Sequence, residues 1–201
     1  MIKLYTWTTG NGLRAAVALA ESGLAYEVHK VDLSKGEQKT PEYAKINPTG
    51  AIPAIVDTEG PEGKPVALAQ SGAILLYVAE KSGKFIPKDP MRRAQAYQWF
   101  MQACSDVAGG AGTLFQAENN APDKSIANVD FFRKRLLGSF RHVDQQLAGR
   151  DFIAGELSIA DLALYPPYAQ RKALLPELKN LSRWAEKLAA RPGVQKGMAL
   201  A

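Results

Sequence analysis

The chain has 201 residues, of which 46% are hydrophobic and 22% are charged, and Cys104 is its single cysteine. One cysteine excludes an internal disulfide framework, and with only two histidines it leaves no set of four soft ligands for a structural zinc ion. The formal net charge of +5 is modest for this length, and no segment interleaves basic with aromatic residues. The composition therefore favours an ordinary globular protein and disfavours nucleic acid as a partner.

The N-terminal segment predicts neither export nor membrane insertion. Its sequence, MIKLYTWTTGNG, lacks the charged head and long apolar run of a signal peptide. No apolar stretch reaches the length of about 18 residues that predicts a membrane span. With one unpaired cysteine, we expect a cytoplasmic protein that has no membrane partner.

The first part of the chain alternates strand-like and helical patterns. The predicted elements, in order, are strand Ile2–Thr6, helix Leu13–Glu21, strand Tyr26–Asp32, a short helical turn at Pro41–Ile46, strand Ile52–Val56, strand Val66–Leu68 and helix Ser71–Lys81. The first two strands are joined through a helix and must be parallel, whereas the turn-rich stretch Asp57–Pro65 predicts that the last two are antiparallel. This order predicts a thioredoxin-like domain at residues 1–83.

The chain changes character at the stretch FIPKDP (Phe85–Pro90), which overlaps a predicted linker at residues 84–89, and strand-like runs almost vanish after it. The predicted helices are Met91–Ala108, Ile126–Leu147, Ile159–Gln170 and Leu178–Ala190. Pro166-Pro167 predicts a kink or an end in the third helix, and Pro192-Gly193 predicts the end of the fourth. Ser158 and Asp161 predict a capping box where the third helix starts. The predicted fold class is therefore α+β, with an all-helical bundle domain at residues 90–201.

The loop between the first strand and the first helix contains Thr9 and Asn11. Hydroxyl and amide groups placed beside the free N–H groups of a helix start favour an anion such as a carboxylate or a thiolate. The structural alternative is an ordinary loop in which one of the two residues only caps the helix.

Two further loops carry candidate binding groups. Pro53 interrupts a good strand pattern, and a cis Ile52-Pro53 bond would leave the backbone of Ile52 free to pair with a peptide-like ligand. Ser71 opens a helix where its hydroxyl and the first helical amides favour a carboxylate, with Gln70 beside an amino group. The alternatives are a plain turn before a strand and Ser71 acting only as an N-cap.

A set of short motifs spread over nearly the whole chain carries a family resemblance. These motifs are Thr9-x-Asn11-Gly12, Val31-Asp32-Leu33, Gly36-Glu37-Gln38, Pro41-Glu42-Tyr43, Ile46-Asn47-Pro48, Ile52-Pro53-Ala54-Ile55-Val56-Asp57, Ser71-Gly72-Ala73-Ile74-Leu75-x-Tyr77, Asp89-Pro90-x-x-Arg93-Ala94, Gln98-Trp99 and Phe152-Ile153-Ala154-Gly155-x-x-Ser158-Ile159-Ala160-Asp161. In this order and spacing the chain resembles the glutathione S-transferases, and most of all the nu class of bacterial enzymes and their fungal relatives.

The resemblance implies a glutathione-binding thioredoxin-like domain, a helical domain with a second-substrate pocket, no metal, and a homodimer. It implies glutathione as the co-substrate and a small electrophile or disulfide as its partner. The residue roles that it implies are Thr9 and Asn11 at the sulfur, Ile52 beside a cis Pro53 at the cysteinyl part, Gln70 and Ser71 at the γ-glutamyl end, and Gln38 at the glycyl end.

This sequence departs from the family pattern at three positions. Gln70 stands where the family usually has glutamate, which removes a charge pair with the ligand ammonium. Ala51 stands where many nu-class members have lysine, which leaves the glycyl carboxylate one cation fewer. Phe131 stands where the class has a ligand-contacting arginine, and Arg133 lies one helical step away, so that role is not transferred.

The implied chemistry is the activation of a thiol that belongs to the ligand. A free thiol has a pKa of about 8.5, and lowering it by about two units takes roughly 2.7 kcal/mol of preference for the thiolate. A hydrogen bond to a charged acceptor contributes about 1.5–3 kcal/mol and a helix N-terminus about 0.3–1 kcal/mol, so Thr9, Asn11 and the first helix would suffice jointly. Tyr5 is an alternative sulfur partner, although its place inside the strand favours packing. Cys104 lies in an apolar helical run and is predicted to be a buried core residue rather than the nucleophile.

Three functions remain open at this point. The first is a glutathione transferase with glutathione-dependent disulfide reductase or peroxidase activity, which needs no cysteine of the protein. The second is conventional conjugation of glutathione to apolar electrophiles, which a hydrophobic pocket in the helical half would support. The third is a non-catalytic transferase-like module that mediates protein association.

Overall fold

The computed structural model describes residues 1–123, 125–175 and 177–200. The strands are β1 (Ile2–Thr6), β2 (Tyr26–Lys30), β3 (Ala54–Asp57) and β4 (Val66–Ala69). The α-helices are α1 (Gly10–Ser22), α2 (Pro41–Ala44), α3 (Ser71–Ser82), α4 (Pro90–Gln102), α5 (Gly109–Asn119), α6 (Ile126–Gln146), α7 (Ile159–Ala169), α8 (Lys179–Ala189) and α9 (Pro192–Met198). Residues 103–108 continue α4 into α5 as a π-helical segment.

The strands form one sheet in the order β2-β1-β3-β4. β1 and β2 are parallel, and β3 is antiparallel to both β1 and β4, which confirms the predicted thioredoxin-like arrangement. Ile2, Leu4 and Thr6 are buried on the face of β1 that α1 and α3 cover. Because side chains alternate along a strand, Lys3 and Tyr5 lie on the other face, where α2 packs.

Contacts between residues divide the chain into two compact units. One is Met1–Phe85 together with the segment that begins at Ala190, and the other is Ile86–Ala189. The predicted division into residues 1–83, a linker and residues 90–201 differs from this in its last segment, because α9 packs on α1. Pro192, predicted to follow a final helix, instead starts α9.

The second unit is helical, as predicted, with three differences. The predicted helix ending at Ala108 continues through the π-helical segment into α5, which the sequence did not predict. Cys104 lies in that segment and is half-buried, so the prediction of a buried core residue is wrong. Pro166-Pro167 does not end α7, which runs on to Ala169.

The capping box at the start of α7 is confirmed. The backbone N–H and the hydroxyl of Ser158 both donate to Asp161 Oδ2 at 2.9 Å. Asp161 Oδ1 also accepts from the backbone of Ile153 at 3.0 Å and from the indole of Trp184 at 2.8 Å. This fully buried carboxylate therefore ties the loop before α7 and the side of α8 to one helix start.

In the three ranges that the structure covers, no helix combines the length and apolar character that crossing a membrane requires.

Candidate active site

One edge of the sheet brings the three candidate loops together. The C-terminal ends of β1 and β4 lie beside the N-terminal end of β3, because Ala54 pairs with Tyr5 on one side and Ala69 on the other. The loop after β1, the loop before β3 and the start of α3 therefore share this edge, as the sequence predicts.

The loop after β1 wraps tightly into the start of α1. Thr9 is the N-cap, and its Oγ1 accepts from the backbone N–H of Gly12 at 3.2 Å. A side chain at Gly12 would overlap the Trp7 carbonyl oxygen and come within 2.5 Å of Thr6 Oγ1, so only glycine fits there. Capping leaves the hydroxyl hydrogen of Thr9 available, and α1 presents its positive end at the same place.

The side chain of Asn11 has a defined orientation. Its Oδ1 accepts from Arg14 Nη1 at 3.3 Å and from the Ser71 hydroxyl at 3.4 Å. Because a guanidinium can only donate, the atom that faces Arg14 must be the amide oxygen. Asn11 Nδ2 makes no hydrogen bond with any residue described in the structure, and Asn11 is exposed, so this N–H group is free to bind a ligand anion.

Two side-chain donors fix the loop before β3 by binding one of its carbonyl oxygens. Tyr43 Oη donates to the Ala51 carbonyl oxygen at 2.8 Å, and Asn47 Nδ2 donates to the same atom at 2.7 Å. Burial raises the pKa of Tyr43 to about 12, so its hydroxyl remains a donor throughout the physiological range. The Ile52-Pro53 bond is cis, and Pro53 directly precedes β3, as predicted.

The start of α3 differs from the alternative in which Ser71 acts only as the N-cap. Gln70, not Ser71, is the N-cap, and it has φ 71° and ψ 117°. A positive φ is uncommon outside glycine and costs energy, and such strain clusters at ligand-binding sites. Ser71 is the first helical residue and is buried next to Asn11, which joins the two ends of the candidate site.

Gln38 lies apart from these contacts. Its Oε1 is buried and has no hydrogen-bond partner among the residues described. A Cβ at Gly50 would come within 3.2 Å of the Gln38 carbonyl oxygen, so Gln38 lies next to the loop that leads to Ile52. No hydrogen bond within the described ranges joins its side chain to Thr9, Asn11 or Ser71.

Tyr5 does not point toward this edge of the site. Its ring contacts those of His29 and Tyr43, with centroids 5.1 Å and 6.2 Å away, on the sheet face opposite α1. This arrangement favours the packing role over the alternative of a sulfur partner.

Arg133 and Phe131, the two positions left without a role, belong to the helical unit. Arg133 forms ion pairs with Glu118 at 2.9 Å and with Asp130 at 3.0 Å. Phe131 is 60% exposed. The described residues contain no group of three His, Cys, Asp or Glu side chains arranged to hold a metal ion.

Comparison with known proteins decides the family. Residues 1–80 match the model for the N-terminal domain of glutathione S-transferases. The disulfide-bond oxidoreductase YfcG of Escherichia coli (strain K12) is 32% identical over 98% of this chain and 94% of its own. The chain belongs to the glutathione S-transferase family. The resemblance drawn from the sequence motifs is therefore confirmed.

Solved transferase structures are similar to this transferase over almost its full length. One, from Pseudomonas putida, has one glutathione disulfide bound per subunit, with a TM-score of 0.91, 33% identity and coverage of 98% of this chain and 90% of that one. Another, from Burkholderia graminis, has two glutathione molecules bound per subunit, with a TM-score of 0.90, 34% identity and coverage of 98% and 87%. The predicted transferase fold is confirmed.

Sequence reasoning missed the residues that position the site of this transferase. Arg14 orients the side chain of Asn11. Tyr43 and Asn47 orient the Ala51 carbonyl group. For Arg14 a signal existed, since it is the one charged residue in the apolar run LRAAVALA. For Tyr43 and Asn47 no pattern indicates which carbonyl they would reach.

Proposed function

We propose that this transferase reduces disulfides with glutathione, whose thiolate is the nucleophile. The observation that carries the proposal is the orientation of Asn11, whose Oδ1 is occupied by Arg14 and Ser71 while its Nδ2 is free. A free amide donor beside a capped helix start suits a thiolate better than a neutral thiol.

The proposed contacts follow from the edge geometry. Thr9 and Asn11 would donate to the sulfur, and together with the start of α1 they would supply the roughly 2.7 kcal/mol that lowers a thiol pKa by about two units. The remaining proposed ligand contacts are Ile52 and Pro53 at the cysteinyl part, Gln70 and Ser71 at the γ-glutamyl end, and Gln38 at the glycyl end. The buried, unpaired Oε1 of Gln38 supports the last of these, since a ligand N–H would satisfy it.

The reaction needs no cysteine of the protein. The thiolate of one glutathione attacks a disulfide sulfur, the S–S bond breaks, and a thiolate leaves with the electron pair. A second glutathione then attacks the resulting mixed disulfide at the glutathione sulfur, which releases glutathione disulfide and the second thiolate. Two glutathiones are oxidised, one disulfide is reduced, and solvent supplies the protons to the released thiolates.

The helical unit favours a polar second substrate. One cavity there, of about 490 Å³, is lined by Trp99 and by polar side chains that include Gln98, Gln102 and His142. Another, of about 270 Å³, lies against Asp106 and Arg135. Conventional conjugation is expected to use an apolar pocket, and disulfides that carry charged groups suit these cavities better.

Turnover by variants tests the proposal. We expect Asn11→Ala to lower kcat/KM for a glutathione-linked disulfide by at least tenfold, because a hydrogen bond to a charged acceptor contributes about 1.5–3 kcal/mol. Asn128→Ala, an exposed asparagine on α6, is the matched control and should leave the rate unchanged. The same variants are assayed with a chlorinated aromatic electrophile.

Three other outcomes would contradict the proposal or a part of it. Equal rates for wild type and Asn11→Ala would remove Asn11 from the mechanism. Faster turnover of the chlorinated aromatic than of the disulfide would favour conjugation. Failure to bind glutathione at all would leave only the non-catalytic module.

We also propose that the protein is a homodimer in the cytoplasm. On α4, Tyr97 and Met101 lie one helical turn apart and are 40% and 58% exposed, which favours an apolar contact. Sedimentation equilibrium should show Met101→Glu to be monomeric and Ile126→Glu, the control at an exposed site on α6, to remain dimeric. A cytoplasmic location fits a reaction that consumes reduced glutathione, because the cytosolic pool is kept reduced.

A further inference from the structure

The first unit contains a second cavity, on the sheet face that α2 covers. It has a volume of about 390 Å³, and Tyr5, His29 and Tyr43 are among the residues that line it. Glu37 and Glu42 line it as well. This is within the usual size range of sites for small molecules.

The aromatic part of the wall is built by strand register. Tyr5 on β1 pairs with His29 on β2, so their side chains lie side by side on one face of the sheet. Their ring centroids are 5.1 Å apart, and the Tyr43 ring lies 6.2 Å from Tyr5 in an edge-on arrangement. The Tyr43 hydroxyl is held by the Ala51 carbonyl oxygen, which keeps the ring in place.

The lining contains two carboxylates together with the imidazole of His29. Glu37 and Glu42 are its acidic residues, and no Lys or Arg is among the described residues that line it. Glu37 Oε2 accepts from the backbone of Asp32 at 2.7 Å, so that carboxylate is fixed. Neither carboxylate forms an ion pair within the described ranges, although the whole chain has a net charge of +5.

We propose that this cavity binds a small organic cation that carries an alkylammonium group. Aromatic faces attract such a cation and have little attraction for a neutral group of the same shape. Two unpaired carboxylates strengthen that preference and repel anions. A neutral apolar ligand would have to desolvate the carboxylates without compensating their charge.

The cavity contains none of the residues proposed to contact glutathione, although Tyr43, which lines it, also holds the Ala51 carbonyl oxygen. The cavity shares no lining residue with Thr9, Asn11, Gln38, Ile52, Gln70 or Ser71. The inference therefore does not depend on the proposed disulfide chemistry, and turnover with glutathione does not test it.

Calorimetric titration of the full chain with choline tests the inference, with 3,3-dimethylbutan-1-ol as the uncharged probe of the same shape. We expect choline to bind with one-to-one stoichiometry and the alcohol to bind at least tenfold more weakly, because the aromatic rings and carboxylates attract the cation and not the uncharged group of the same shape. Equal affinity for the two probes would overturn the inference, and so would the absence of choline binding at millimolar concentrations.

Two exposed carboxylates give a matched pair of variants. Glu42→Gln removes a charge from the cavity, and we expect it to weaken choline binding several-fold. Glu27→Gln removes the same charge from β2, where Glu27 pairs with Lys3 at 3.0 Å outside the cavity, and should have little effect. Equal weakening by the two variants would mean that choline responds only to the overall field of the protein, which would also overturn the inference.

Discussion

Arg14 shows how a single buried side chain defines the candidate active site. It is 1% exposed within an apolar helix, and its guanidinium reaches the amide oxygen of Asn11. Burying a charge is expensive unless it is well bonded, and one of the hydrogen bonds that the buried guanidinium makes goes to the Asn11 side chain. We therefore regard Arg14 as a positioning residue that acts through Asn11.

Arg14→Met should impair catalysis through the orientation of Asn11. Without the guanidinium, the amide can rotate and present its oxygen to the thiolate, so we expect kcat/KM for disulfide reduction to fall about tenfold. The rising limb of its pH profile should move to higher pH, because a less stabilised thiolate has a higher pKa. Arg14→Lys, whose ammonium group can also only donate, should recover part of the lost kcat/KM and move the pH profile part of the way back. A lower melting temperature with an unchanged pH profile would show that Arg14 is merely structural.

At the scale of elements, Asp57 joins the end of β3 to α3. This fully buried carboxylate accepts from Tyr77 Oη at 2.6 Å, from the Lys81 ammonium, and from the backbone of Glu59 at 2.9 Å. Burial alone would raise the pKa of Asp57, but the hydrogen bonds from Lys81 and Tyr77 outweigh it and hold the pKa below its ordinary value of 3.8.

The stability of the fold should therefore depend on the charge of Asp57. A carboxyl group whose pKa is lowered by folding stabilises fully above its unfolded pKa, and that contribution is lost as the pH falls through the folded value. Asp57→Asn should lower the free energy of unfolding at pH 7 by about 2 kcal/mol, and the difference from wild type should shrink below about pH 4. Urea unfolding from pH 7 to pH 3 measures this. Glu62→Gln, at an exposed carboxylate, should follow wild type, and a constant difference across the series would contradict the assignment.

The elements that could be predicted from the sequence are those whose signals are local. Thr9 before a helix, the alternating strands and the Ser158–Asp161 box all depend on neighbours within a few residues. The helix α5 was missed because Gly109, Gly110 and Gly112 weaken local helix preference, and packing against α6 overrides it.

The candidate site likewise has one part that could be predicted from the sequence and one part that could not. The loops at the sheet edge follow from strand order, so Asn11, Ile52 and Ser71 could be grouped from the sequence. The direction of the Asn11 amide depends on Arg14 and on Ser71, sixty residues away, and no local pattern contains that information.

At the scale of the whole chain, α9 packs against α1, the helix whose first residues form the candidate site. Glu21 near the end of α1 accepts from Arg191 Nη2 at 2.6 Å and Nε at 2.9 Å, and from the backbone of Val194 at 3.1 Å. These bonds join positions that are 170 and 173 residues apart. The arrangement could not be predicted from the sequence, where Pro192 and Gly193 indicate only the end of a helix.

Gly197 is the point of closest approach between α9 and α1. A Cβ there would come within 2.5 Å of Val17 Cα, so Gly197→Ala must push the two helices apart. We expect it to lower the free energy of unfolding by about 1–3 kcal/mol, although alanine favours a helix by about 1 kcal/mol over glycine. Gly112→Ala on α5 is the matched control, because nothing lies within 4 Å of its added methyl group, and it should raise stability by about 0.5–1 kcal/mol. Chemical denaturation of both variants measures the contrast, and equal stabilisation by the two alanines would show that close packing of α9 on α1 does not contribute to the stability of this fold.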